Sequence, residues 1–135
     1  MITLLELLQG RIDFKDCTPE QQKNLPILLA RVNKIREAYG KSMKVSSGLR
    51  SMADHLRIYA EKGITDQSKI PMKSRHLSGQ AVDFADPKKV LQKWIKSNID
   101  VLEACELWCE DFSATPTWIH FQTVPPASGK RFFTP

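Results

Sequence analysis

Between residues 18 and 40 the apolar side chains Leu25, Leu28, Leu29, Val32, Ile35 and Tyr39 recur at the three-to-four spacing that lines one side of an α-helix. The stretch "TPEQ" supplies its start, with Thr18 as N-cap, Pro19 at the first helical position and Gln21 where a capping box needs it, and Gly40 is a C-cap. This predicts a core-facing helix over 19–39. "MKVSSGLRS" then reads as a short strand over 43–46 that turns at Gly48, and Ser51 caps a second helix over 51–62 that ends at Gly63. Arg50 falls at the strand-to-helix junction. Residues 64–75 have no periodicity and read as a loop, whereas "QAVDFA" alternates and predicts a strand over 81–85 with Ala81 and Asp83 on one face. Residues 87–109 read as a helical pair broken near 97–100, entered through Asp86 as cap and Pro87 in the first turn. "TWIHFQT" alternates as a strand over 117–123, with Trp118, His120 and Gln122 on one side and Ile119 and Phe121 on the other. The tail "VPPASGKRFFTP" is too rich in proline and glycine for a regular element. Together these elements predict an α+β fold in which a small antiparallel sheet is packed by about three helices.

Size and composition narrow this picture. A chain of 135 residues, 41% apolar, has room for one domain, 1–135, with its own core. No run of about 18 apolar residues is present, and no basic segment precedes the first apolar stretch, so the expectation is no membrane span and a protein that is cytoplasmic as made. The net charge of +5 is scattered, and the aromatic residues are not interleaved with basic ones, which argues against a nucleic-acid partner while leaving attraction to an anionic polymer open. The odd set Cys17, Cys105 and Cys109 argues against a disulfide framework. Cys105 and Cys109, four apart in an expected helix, share a face, and the simplest reading of them is a buried hydrophobe and a thiol.

Candidate chemistry gathers at "SRHLSGQAVDF", residues 74–84. Of the three histidines, His76 and His120 lie in strand-associated positions on either side of the expected helical pair, and His55 stands apart. Pairing 81–85 with 117–123 would bring Asp83 and His120 onto one face, and the bend at Ser78 and Gly79 would return His76 toward them. Two imidazoles and a carboxylate are a sufficient ligand set for a zinc ion that keeps an open coordination position. The same residues also suit a turn histidine, a capping aspartate and a strand histidine with no metal.

"SGLRS" at 47–51, the S-x-H-x-x-G-x-A-x-D pattern of Ser74, His76, Gly79, Ala81 and Asp83, and "WIH" at 118–120 occur in the order and approximate spacing of a known family. The chain resembles the zinc D-alanyl-D-alanine carboxypeptidase and L-alanyl-D-glutamate endopeptidase family, of the hedgehog/DD-peptidase fold, and within it a compact phage-endolysin-like member. The resemblance covers about 45–120. It implies Zn2+ held by His76, Asp83 and His120, and an Arg50 that holds a carbonyl or carboxylate of the substrate through its fork of donors. Ser47 and Ser74 are further substrate-side candidates, with Ser74 also suited to orienting the His76 loop. The chain departs from the family at Thr117, where many members place a glutamate as general base. Asp111 is the first substitute for that role and Glu110 the second.

The implied function is metal-assisted hydrolysis of peptide bonds in the peptidoglycan stem peptide, by a monomer acting on the cell wall after release from the cytoplasm. A basic protein suits that anionic polymer. The alternative is a catalytically degenerate module, zinc-stabilised, that binds the wall or forms part of a phage particle.

Overall fold

A computed structural model describes all 135 residues. The chain forms five α-helices, α1 (Leu4–Leu8), α2 (Pro19–Tyr39), α3 (Met52–Glu61), α4 (Val90–Ser97) and α5 (Ile99–Ala104), and five strands, β1 (Lys44–Ser47), β2 (Ala81–Ala85), β3 (Trp108–Glu110), β4 (Trp118–Gln122) and β5 (Phe132–Phe133). The class is α+β. The strands make one sheet in the order β1-β2-β4-β3-β5, antiparallel throughout except for the parallel pairing of β3 with β5, so the sheet is mixed rather than purely antiparallel.

The long helix follows its sequence signals closely. Thr18 accepts from the Gln21 amide while the Gln21 side chain accepts from the Thr18 amide, and Gly40 closes the helix in the left-handed conformation. Leu25, Leu28, Val32 and Ile35 form its buried face. They share one core with Val82 and Phe84 of β2, Ile119 and Phe121 of β4, Cys109 of β3, Ile95 of α4 and Leu102 of α5. Because strand side chains alternate, every residue that buries this core face leaves its neighbours on the opposite face. There Asp83 pairs across the β2–β4 ladder with His120.

Several expectations change. The helical pair is shorter than 87–109, running over 90–97 and 99–104, because Glu106 takes a left-handed φ of 56° and the chain then straightens into β3. Cys105 and Cys109 therefore lie on different elements, and all three cysteines are buried and free. The N-cap of α4 is Lys89, not Asp86; the Asp86 carboxylate accepts from the Leu91 and Gln92 amides of the first turn across a segment that keeps Pro87 out of the helix. The tail contributes an edge strand after all, since Phe132 and Phe133 pair with Cys109 and Glu110. The short N-terminal helix α1 had no counterpart in the sequence reading; Thr3 and Glu6 give it a capping box.

Candidate metal centre

Three segments converge on the face of the sheet opposite the core. Asp83 stands in the middle of β2 and His120 in the middle of β4, and their ladder register places them side by side. His76 comes from the turn ahead of β2. That turn closes through hydrogen bonds from the Leu77 amide to the Ser74 carbonyl and from the Gln80 amide to the Arg75 carbonyl, and Gly79 enters it with φ of 76°, a conformation that a side chain would strain. Gln21 and Asn24 of α2 donate to the Leu77 and Ser78 carbonyls, so the turn is fastened to the long helix.

The donor atoms of His76, Asp83 and His120 lie within 4.8 Å of one another, and all three residues are buried. His120 Nδ1 is 2.8 Å from Asp83 Oδ1, and His76 Nε2 is 3.4 Å from Asp83 Oδ2. The second ring nitrogens decide the tautomers. His76 Nδ1 lies 3.0 Å from the Gly48 carbonyl oxygen, which can only accept, so Nδ1 carries the proton and Nε2 turns a lone pair inward. Gln122 donates its amide nitrogen to the Val124 carbonyl, which leaves Oε1 as an acceptor 2.9 Å from His120 Nε2. His120 Nε2 is therefore the protonated nitrogen. Two lone pairs and a carboxylate thus face one point, and either a proton or a cation must sit among them. This donor set can hold a metal ion.

Electrostatics agree with that need for positive charge. Burial alone would raise the Asp83 carboxyl, yet His120 and His76, once their inward nitrogens carry protons in place of a cation, hydrogen-bond to it and hold it well below the usual carboxylate range. Burial pushes His120 down, and the Asp83 carboxylate, with Glu110 behind it, more than reverses this and leaves His120 above its ordinary value. Cys109 and Cys105 belong to the core on the other side of the sheet, where burial pushes both thiols up.

A cleft of about 560 Å³ opens over the centre, lined by Arg50, Ser74, Glu110 and Trp118 among others, together with the three donors. Glu110 is the last residue of β3. With Cys109 turned into the core, alternation turns Glu110 to the site, where its Oε1 lies 3.8 Å from His120 Nδ1. Asp111, one residue on, is outside the strand and does not line the cleft. Its Oδ1 accepts from the Ser113 amide and hydroxyl, which hold its carboxyl below the usual range. Of the two carboxylates, only Glu110 lines the cleft over the centre.

Arg50 donates from Nε and Nη2 to the Ser47 hydroxyl, which aims the guanidinium along the cleft. Asp54, one turn into α3, pairs with Arg57 and leaves Arg50 to the cleft. The Ser74 hydroxyl accepts from the His76 amide, an orienting contact, while also lining the cleft. The "SGLRS" segment has a second task that its sequence did not disclose. The Gly48 carbonyl holds His76, the Arg50 amide donates to the His76 carbonyl, and the Leu49 amide donates to the Leu7 carbonyl of α1. Gln122 was legible as a residue on the His120 face, but its role in fixing the tautomer depends on the Val124 contact that only the fold reveals. Buried His55 lies outside the centre, with Nε2 donating to the Pro71 carbonyl at 2.7 Å, and it ties α3 to the segment that walls the cleft.

No family model, characterised protein or solved structure matches the chain.

Proposed function

We propose that the protein is a zinc-dependent peptidase of the hedgehog/DD-peptidase type, acting on the peptidoglycan stem peptide after release from the cytoplasm. The observation that carries this reading is the inward convergence of His76 Nε2, His120 Nδ1 and the Asp83 carboxylate at the floor of a cleft that also contains Glu110 and Arg50. Two imidazoles and one carboxylate suit zinc and leave a coordination position free. Zinc in such a setting acidifies water and polarises a carbonyl.

The chain's own groups supply the rest. Glu110, lining the cleft beside His120, would take the proton of the attacking water and return it to the leaving amine. Arg50, braced by Ser47, holds a carbonyl or carboxylate of the peptide through its remaining donors. Gly48 and Gln122 keep both imidazoles in the ligating tautomer. Thr117 at the family's usual base position favours the degenerate, wall-binding reading; a carboxylate reaching the same centre from β3 favours catalysis.

Protein purified without chelator is expected to contain about one zinc per chain by elemental analysis, and His120→Ala to contain none. The zinc-loaded protein should release new amino groups from purified peptidoglycan, and chelator should stop the release. A zinc-bound protein that releases none from any wall preparation would replace the enzyme with the binding module.

A further inference from the structure

Glu110 sits on a strand that the sheet holds unevenly. β3 pairs with β4 through Trp108 and Cys109, and with β5 through Cys109 and Glu110. The only ladder partner of Glu110 is therefore Phe133, in the tail. The amides on either side of it also donate to the tail, Cys109 to the Arg131 carbonyl at 2.9 Å and Asp111 to the Phe133 carbonyl at 2.7 Å. His120, by contrast, is fixed from β2, opposite Asp83. The 3.8 Å between Glu110 Oε1 and His120 Nδ1 is thus set by where β5 lies. Two residues of parallel edge strand make few ladder bonds with which to hold that position. Arg131 adds to them. Its Nη1 donates to the Leu107 carbonyl at 2.9 Å, and its guanidinium lies over the Trp108 ring, 4.4 Å from the centroid, so one side chain of the tail grips the start of β3.

We propose that Arg131 is a positioning residue for hydrolysis: its clamp on Leu107 and Trp108 holds β5 against β3 and so keeps Glu110 beside His120 in the cleft. This rests on the peptidase reading above, with Glu110 as base. Arg131 does not itself line the cleft, so it acts through Glu110 and not on the peptide. The tail that it secures borders the centre directly. Phe133 is buried, its ring meeting that of His120 at 83° with centroids 6.2 Å apart, and Pro135 reaches the cleft wall. Proton transfer is steep in distance, and a misplacement of ~1 Å can cost on the order of a hundredfold in rate. A tail that only loosens therefore lowers turnover while His76, Asp83 and His120, which stand on other segments, keep their places.

The test reads kcat and KM of the zinc-loaded protein on a soluble stem-peptide fragment of peptidoglycan. Arg131→Ala should lower kcat about tenfold with KM changed by less than about threefold, the pattern of an interaction felt only in the transition state. It should still bind about one zinc per chain. Arg131→Lys keeps a cation over Trp108 and should recover part of the loss. The double variant decides between positioning and a general loosening of the fold. If Arg131 acts through Glu110, Arg131→Ala costs nothing further in a Glu110→Gln background, where the base is already gone, whereas general loosening costs the same factor in both backgrounds. Trp108→Leu removes the other half of the clamp, should reproduce the pattern, and carries the test if Arg131→Ala misfolds. Wild-type kcat in folded Arg131→Ala or Trp108→Leu, or an equal loss in the Glu110→Gln background, overturns the proposal and leaves the peptidase reading standing. Zinc-loaded wild type that cuts no fragment ends both.

Discussion

The amide of Gln122 controls which nitrogen of His120 is available to a metal, because its own nitrogen is committed to the Val124 carbonyl. The choice has a pH consequence. Without metal, the Asp83–His120 pair is held by a proton, and His120 is raised above its ordinary 6.5 while Asp83 is lowered below its ordinary 3.8. A raised histidine contributes stability that is complete below 6.5 and lost as pH climbs through the folded value; a lowered aspartate contributes stability present above 3.8 and lost as pH falls through its folded value. The metal-free protein should therefore lose stability on the alkaline side of 6.5, while zinc affinity rises over the same range because the ion competes with that proton. Urea melts of metal-free protein across this range, beside zinc titrations, check both signs. Glu110 and its neighbour divide differently. Glu110→Gln should keep zinc and the melting temperature but cut turnover roughly a hundredfold or more, the usual worth of general-base catalysis, whereas Asp111→Asn should do little. Two silent variants in an active enzyme would remove Glu110 from the proton transfer.

At the scale of elements, legibility followed how many signals agreed over how many residues. For α2, a capping box, an apolar stripe over 21 residues and a terminal glycine all point to one answer, and its sequence-derived bounds match the structure. β2 and β4 alternate over five residues each, enough to put Asp83 and His120 on one face. β3 is three residues long, too short for a period of two to stand out against the helical spacing of Leu102, Cys105 and Cys109 that runs into it. That is why Glu110, just past the expected helical pair, ranked behind Asp111 as a substitute base. β5 is shorter still, and it exists because β3 offers it an edge. The strand-to-helix junction after β1 carries the sharpest prediction at this scale. A Cβ on Gly48 would lie 2.0 Å from the Leu7 carbonyl oxygen, so Gly48→Ala must push α1 and the junction apart. Its carbonyl also orients His76. We expect Gly48→Ala to destabilise the fold by about 2 kcal/mol or more and to weaken zinc binding as well. Parallel thermal melts and zinc titrations check this; a variant with wild-type zinc affinity would show that the Gly48 contact does not hold the ring.

Across the whole molecule, the metal centre is the point where otherwise separate pieces meet. β2 and β4 supply Asp83 and His120 from the sheet, while His76 stands on a turn tied to α2 through Gln21 and Asn24 and to the junction after β1 through Gly48 and Arg50. The segment carrying Pro71 is held in turn by His55, the one fully buried side chain of α3. Without a cation, a carboxylate and two imidazoles must share protons in a buried site; a cation held by all three would add a further tie between the turn carrying His76 and the sheet. Zinc should therefore stabilise the fold as a whole, by about 4 kcal/mol when free zinc is a thousandfold above its dissociation constant. For a domain of this size that corresponds to a melting temperature roughly 10–20 °C higher with zinc than with chelator. His120→Ala should melt near the chelated protein and respond little to added zinc, which separates binding at this centre from adventitious binding elsewhere. A wild type that binds zinc with no rise in melting temperature would mean that the three donors are already locked without it, and the coupling between the turn, the sheet and the ion would have to be abandoned.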